Sequence, residues 1–221
     1  MPEKLKSSGI TGMQLKILAI ISMTVDHIGA VIFPDILWMR IVGRIAFPIY
    51  CFLLVEGFNY TKSRKKYLVR LLAFAFISEI PFELAFFGKA FEFGHQNVFF
   101  TLFIGFLTMY FCEFASSNLS KYIMCFAGMV LAGIFRTDYS FFGVALIVIF
   151  YLFRDDRLSA FILQAVMNIA EGSLQGFAAL ALIPIGLYKG KQGRKRFQMF
   201  FYAYYPVHLV VIYIYSLVML L

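Results

Sequence analysis

Residues 98–115 read VFFTLFIGFLTMYFCEFA, an apolar run broken only by the glutamate at its end. A helix crossing the hydrocarbon core of a bilayer needs about 20 such residues, with about 17 a practical minimum. The run shows no strand-like alternation, so a membrane β-barrel is a poor fit. It is one of about nine such segments. The others read roughly 16–33, 36–58, 67–87, 121–135, 140–153, 158–170, 173–188 and 198–220. The segments at 121–135, 140–153, 158–170 and 173–188 are short for full spans. Of the 221 residues, 62% are hydrophobic and 14% charged, against about 45–50% and about 25% in soluble domains. A soluble globule of this size cannot hide so much apolar surface, and disorder needs the opposite composition. The sequence therefore predicts an all-α, polytopic integral membrane bundle of about nine helices, without linker or internal repeat.

The net charge is +8. In a soluble protein that would suggest a nucleic-acid partner; here it sets orientation, because Lys and Arg collect in cytoplasmic loops. With the N-terminus inside, all but four of the 20 basic residues fall in inner segments. The exceptions are Lys89 and Arg136 in outer loops and Arg40 and Arg44 within a span. This predicts a cytoplasmic N-terminus and an external C-terminus; residence in the bacterial cytoplasmic (inner) membrane is implied only by the resemblance given below. No cleavable signal peptide is expected, since Asp26 and His27 interrupt the first apolar run. Cys51, Cys112 and Cys125 lack C-x-x-C spacing and read as small buried hydrophobes.

Ionisable residues inside spans each cost about 2.5–3.5 kcal/mol on insertion scales, so they must pair or do work. At about 1.5 Å of rise per residue, Asp26 and His27 lie roughly 10 Å below the outer end of the first span. Arg44, with Arg40 a turn outward, lies roughly 12 Å down the second. Glu79, with Glu83 a turn outward, lies roughly 12 Å down the third, and His208 is near the middle of the last. Four helices thus bring charge to one layer in the outer half of the membrane. Arg40/Arg44 and Glu79/Glu83 each share a helix face, so opposite charges on adjacent helices are expected to neutralise each other, either as a structural knit or at a site. Pro81 is expected to kink its helix, and Tyr204-Tyr205-Pro206 to break the last one. His27 suits general-base work; His208 is a second candidate base. Asp26 cannot easily reach its neighbour's ring and is expected to orient His208 or an arginine. His95 reads as a solvated loop histidine, or as a residue closing the site from outside. Arg136-Thr137-Asp138-Tyr139 reads as a surface turn or as one wall of an acceptor cleft. The three histidines lack H-x-x-x-H spacing, so no metal site is expected.

Two inner basic clusters, Lys62 to Arg70 (with Arg64, Lys65 and Lys66) and Lys189 to Arg196 (with Arg194 and Lys195), suit anionic lipid or the phosphates of a cytosolic cofactor. Arg70, set inside the third span, is the best single phosphate candidate. Walker, dinucleotide, serine-hydrolase and zincin motifs are absent.

An ordered set of motifs resembles the TraX family of membrane proteins. It comprises Leu15-Lys16-Ile17, Val25-Asp26-His27-Ile28-Gly29-Ala30, Phe33-Pro34, Arg40 through Tyr50, Glu56-Gly57-Phe58, Arg64 through Leu68, Ser78-Glu79-Ile80-Pro81-Phe82, Asn97 through Leu102, and Tyr205-Pro206-Val207-His208-Leu209. That family includes a pilin N-acetyltransferase and is similar to the wider group of transmembrane acyltransferases. The resemblance implies a single acyltransferase-like domain over 1–221 that takes acetyl from cytosolic acetyl-CoA. The acceptor is a protein N-terminus or a surface glycan at or beyond the membrane. The shared depth, not the resemblance, assigns catalysis to His27, Asp26 and His208, and acceptor binding to Arg40, Arg44, Glu79, Glu83, Asn97 and Thr101. The cofactor falls to Arg64, Lys65, Lys66, Arg70, Arg194, Lys195 and Arg196. Arg44 or Asn97 is expected to hold the developing oxyanion. Membrane lipid and a second copy of the chain are further expected partners. A proton-coupled transporter or flippase fits the same buried charges, and a non-enzymatic assembly factor for surface structures is the second rival.

Overall fold

Thr11 starts the first helix, its hydroxyl accepting from the Gln14 N–H while the Gln14 side chain returns a bond to the Thr11 N–H, a capping box that satisfies two otherwise orphaned donors. In the computed structural model, which describes residues 9–92, 94–191 and 198–219, helices α1 (Gly12–Val31), α2 (Leu37–Gly43), α3 (Ala46–Tyr60), α4 (Arg64–Phe87) and α5 (Val98–Cys112) follow in order. Then come α6 (Asn118–Ile134), α7 (Ser140–Leu152), α8 (Arg157–Ala170), the short α9 (Ser173–Gly176), a 3-10 turn Phe177–Ala181, α10 (Leu182–Gly186) and α11 (Gln198–Met219). Among the described residues there is no strand, only the isolated bridges Ile10–Tyr188 and Gln96–Thr137. The expected all-α bundle is what the chain forms.

Among the described residues three segments are long and apolar enough to cross a membrane: Gly12–Val31, Leu37–Tyr60 taken as one, and Gln198–Met219. The expected second span is bent between Gly43 and Ala46 into α2 and α3. The expected eighth span is not one helix but three short pieces. The opening apolar run stops at Cys112, with Glu113 as its cap, because Glu113 turns to meet Arg64 at 2.8 Å. By contrast, α11 runs unbroken through Pro206. Proline removes one helical donor, but packing on α4 and α1 holds the helix together across it.

The core is built from the facing stripes of α1, α3, α4, α5 and α11, with Leu15, Ile49, Phe58, Leu71, Phe106 and Leu209 among its most buried members. Outward faces carry large apolar side chains, such as Ile21, Phe76, Phe126, Ile162 and Val211. An apolar exterior over an apolar core is the pattern of a helix bundle solvated by lipid.

Candidate functional site

The approach of α2 to α1 depends on Gly43. A methyl group there would lie 2.1 Å from the Asp26 Cβ and 2.2 Å from its Oδ1, so only glycine lets the Asp26 carboxylate sit against the helix end. The Ser22 hydroxyl donates to the Val42 carbonyl at 2.6 Å, fixing the same join. Asp26, 8% exposed, then receives both arginines. Arg44 donates through one nitrogen to both carboxylate oxygens at 2.8 and 2.7 Å, and Arg40 meets Oδ1 at 3.0 Å and the Asp26 carbonyl at 3.1 Å. Of the two partners sequence reasoning offered Asp26, the arginine is the one it takes. Gly43→Ala is expected to cost about 1–3 kcal/mol from overpacking, read as a lower melting temperature in detergent, together with loss of whatever activity the carboxylate orients.

His27 points the other way and meets His208, Nδ1 to Nε2, at 2.7 Å, the rings stacked 5.0 Å apart. The proton positions follow from the next bond. His208 Nδ1 lies 2.9 Å from the Tyr204 carbonyl, which can only accept, so Nδ1 of His208 carries hydrogen. With both rings neutral, His208 Nε2 then accepts from His27 Nδ1, and the lone pair of His27 is left on Nε2. The latch is anchored further back. Thr24 donates to the Ile20 carbonyl at 2.8 Å, so the Tyr204 hydroxyl, 2.7 Å from it, donates to Thr24.

Glu79 and Glu83 do not meet the arginines. α4 packs on α5 and α11 and not on α2, so equal depth does not make these charges neighbours. Glu79 accepts from the Asn97 side chain and from its N–H at 3.1 Å. Glu83, 1% exposed, accepts from the Phe91 N–H at 2.5 Å. Asn97 also donates to the Ala75 carbonyl and caps α5, and Thr101 donates to the Asp138 carbonyl. These four residues hold the outer loop in place. None of them is on the wall of either of the two cavities described below, and both Asn97 side-chain hydrogens are taken by Ala75 and Glu79.

That loop, 88–96, is clasped to the turn 136–140. The Gln96 N–H donates to the Arg136 carbonyl at 3.1 Å and the Asp138 N–H to the Gln96 carbonyl at 2.7 Å. Arg136, Tyr139 and Ser140 all have φ between +43° and +60°, a conformation that non-glycine residues adopt at a cost of about 1–3 kcal/mol each. The strain turns Asp138 and Tyr139 inward, where Tyr139 stacks on Phe47 at 3.7 Å. His95 Nε2 faces the Asp138 carboxylate at 3.5 Å. Its hydrogen bond to that carboxylate raises the His95 imidazole above its ordinary value, against partial burial that lowers it.

Two cavities meet inside the bundle. The outer one, about 280 Å³, is lined by Asp26, His27, Arg40, Arg44, His95 and Asp138 with a rim of Phe82, Phe86 and Phe87. The inner one, about 420 Å³, is lined by Lys16, Lys62, Lys66 and Arg70 at its mouth and by Leu54, Leu71, Phe99 and Leu102 above. Met23 of α1, Tyr50 of α3, Val98 of α5 and Tyr205 of α11 line both. A wall one side chain thick is therefore all that separates them. Along α1 the order is Lys16, Met23, then His27, so a basic mouth and an imidazole are separated by about 16 Å of helix.

Of the expected cofactor residues, Lys66 and Arg70 reach the inner cavity. Arg64 instead pairs with Glu113 and lies over the Phe58 ring at 4.5 Å, and Lys65 is exposed away from the cavity. Arg194, Lys195 and Arg196 lie outside the described residues. Lys62, which opens the first basic cluster, reaches the same cavity, and sequence reasoning missed Lys16 there. It also missed Gln175, which accepts from Arg44 at 3.4 Å and donates to Asn168 at 3.3 Å. Gln175 sits in the short α9, which carries no periodic signal to align it with α2. Among the described residues no group of histidine, cysteine and carboxylate could hold a metal. The three cysteines are free and buried, with Cys112 and Cys125 sulfurs 3.5 Å apart.

A family model described as "TraX protein" matches residues 11–216. The chain is 30% identical over 237 residues to the probable fimbrial assembly protein FimC, serogroup H1, of Dichelobacter nodosus, spanning 91% of this chain and 94% of that one. Over 66 residues it is 42% identical to an uncharacterized protein of Rickettsia prowazekii (strain Madrid E), covering 30% of this chain and 25% of the relative. No solved structure matches it.

Proposed function

The chain belongs to the TraX family, and from that premise we propose that it is a membrane acyltransferase moving acetyl from cytosolic acetyl-CoA to an acceptor at or beyond the bacterial inner membrane. The observation that carries the reading is the pair of cavities sharing Met23, Tyr50, Val98 and Tyr205. The inner mouth presents Lys16, Lys62, Lys66 and Arg70 to phosphates, whose oxygens ammonium and guanidinium groups bind by charge-assisted hydrogen bonds. The apolar upper part suits a pantetheine arm, whose end then lies below His27. In this reading the chain crosses the membrane repeatedly with its N-terminus inside, and the basic mouth faces the cytosol.

In the outer cavity the bare Nε2 of His27 is the base or nucleophile, and His208 holds its tautomer. Asp26 holds Arg44 at the wall, where its guanidinium stabilises the oxyanion that forms as the thioester carbonyl is attacked. Acceptors enter from outside. The fimbrial name of the Dichelobacter relative supports a pilus subunit as acceptor, with a surface glycan the other class this chemistry serves. The proton-coupled transporter reading is less well supported, since Asp26 is committed to two arginines and so is a poor carrier of protons.

The reading is tested on purified protein in lipid nanodiscs with labelled acetyl-CoA and an envelope extract as acceptor. CoA release that depends on the extract is expected. Arg70→Ala is expected to raise KM for acetyl-CoA about tenfold, worth about 1.4 kcal/mol, while kcat changes little, because Arg70 touches the phosphates and not the reacting carbonyl. A fall in kcat with KM unchanged contradicts that role.

A further inference from the structure

Resting on the acyltransferase reading, we infer that His95, paired with Asp138, is a second catalytic base that takes the acceptor's proton while His27 carries the acetyl group. The outer cavity holds His27 on one wall and the His95–Asp138 pair on another. A short relay of aromatic rings joins them. His27 lies 5.2 Å from Phe86, Phe86 5.0 Å from Phe82, and Phe82 stacks 5.9 Å from His95.

His27 has one nitrogen to offer, since Nδ1 is spent on His208. If Nε2 attacks the thioester carbonyl, the C–N bond forms and the C–S bond breaks with its electron pair leaving on sulfur; His27 becomes an N-acetylimidazolium that keeps its Nδ1 hydrogen, and the thiolate takes a proton from water at the inner mouth. Acetyl then occupies the only lone pair His27 had. When an acceptor amine attacks, a C–N bond to the acceptor forms, the C–Nε2 bond breaks, and the electron pair returns to His27. The amine's proton still needs a base. Among the described residues lining the cavity, the carboxylates and imidazoles besides His27 are Asp26, His95 and Asp138. Asp26 has both oxygens engaged by Arg44 and Arg40. Glu79, Glu83 and Glu171 are not on the cavity wall. Asp138 turns its Oδ1 to His95 Nε2 at 3.5 Å, so His95 remains, oriented by a carboxylate as a general base should be. Its place in the outer loop puts it where acceptors enter, and the clasp through Gln96 and Thr137 holds the pair together.

The groups facing His95 are Asp138 from the turn before α7 and Glu79 from α4, with Asp26, His27, Arg40 and Arg44 across the cavity. Both nearer groups are carboxylates and favour the imidazolium. The acceptor step therefore speeds up as pH rises through a value above that of free imidazole, and this limb disappears without His95.

The test separates the two half-reactions in nanodisc-embedded protein. Labelled acetyl-CoA is added alone, and CoA release and protein-bound label are followed. Discharge is then measured with a short peptide bearing a free α-amino group, with water, and with hydroxylamine, a nucleophile that needs little base assistance. His95→Gln and Asp138→Asn are each expected to charge like wild type and to discharge equally to hydroxylamine. Discharge to the peptide, or to water should the peptide add nothing, is expected to be about 10²-fold slower, with the pH limb gone. Equal discharge in wild type and His95→Gln overturns the second base and leaves the acyltransferase reading standing. Loss of charging in both variants also overturns it, by making the pair structural. A wild type that never charges removes the covalent step and this inference with it. If it still turns over with the envelope extract, the acyltransferase reading survives.

Discussion

Replacing His27 with alanine is expected to slow acetyl transfer by about 10²–10⁴-fold, the range that positioned proton-transfer groups contribute. The assignment is specific to one atom. The carbonyl of Tyr204 fixes hydrogen on His208 Nδ1, this makes His208 Nε2 the acceptor of the 2.7 Å bond, and the lone pair is thereby left on His27 Nε2. His208→Ala is expected to be milder than His27→Ala, because it removes a positioning bond and leaves the reacting nitrogen. His208→Gln, whose side-chain oxygen can still accept from His27 Nδ1, recovers part of the loss. Rates from single-turnover CoA release check the order. Equal losses at both positions, with no recovery by glutamine, would contradict the tautomer assignment.

Arg44→Ala is expected to be the most destabilising single change in the outer layer. Arg44 supplies the only bonds to Asp26 Oδ2 in the described structure, and it joins α2 to α1 and, through Gln175, to the segment after α8. Removing one partner of a buried ion pair costs up to about 3–5 kcal/mol when the other charge is left alone; Asp26 keeps Arg40 at 3.0 Å, so the loss falls below the top of that range. Removing the carboxylate as well leaves only Arg40, whose side chain is 27% exposed, and costs less. Arg44→Ala is therefore expected to lower the melting temperature in detergent more than the double variant Asp26→Asn/Arg44→Gln does. Arg44→Lys is expected not to restore stability fully, since an ammonium cannot reproduce the fork that engages two oxygens of Asp26 and the Gln175 carbonyl together. A double variant less stable than Arg44→Ala would show that the pair contributes beyond mutual neutralisation.

These effects depend on contacts that were legible in the sequence to different degrees. The layer itself was legible, because helical rise converts residue number into depth. That put Asp26, His27, Arg44 and His208 together, and they do meet. Depth says nothing about azimuth or neighbours, so Glu79 was matched with arginines it does not meet; its partner is Asn97, the residue that caps the next helix. The bend at Gly43 to Ala46 was hidden inside a continuous apolar run. The proline in α11 was over-read, since the loss of one donor at Pro206 is tolerated where neighbouring helices pack around it.

Loops were the least legible part. His95 and Asp138 lie 43 positions apart in the chain and meet only because two outer turns exchange backbone bonds through Gln96. Nothing in either turn's local pattern announces that exchange. The positive φ of Arg136, Tyr139 and Ser140 is likewise invisible in residues that ordinarily avoid it. The basic residues from Lys62 to Arg70 were read as one cluster, but they run from just ahead of α4 through its first turns and diverge. Arg70 and Lys66 face the cavity, while Arg64 turns to Glu113, as helical periodicity requires of residues spread around a helix end.

The central claim is that acetyl enters from the basic inner mouth and leaves from the outer cavity. Sealed proteoliposomes in which all accessible molecules have been given one orientation test it most directly. Labelled acetyl-CoA is supplied to one face and the envelope acceptor to the other. The account predicts labelled acceptor when acetyl-CoA is on the Arg70 face and acceptor is on the His95 face, and none when the two are exchanged. Labelling that is indifferent to the face of supply, or that persists in His27→Ala, would contradict it.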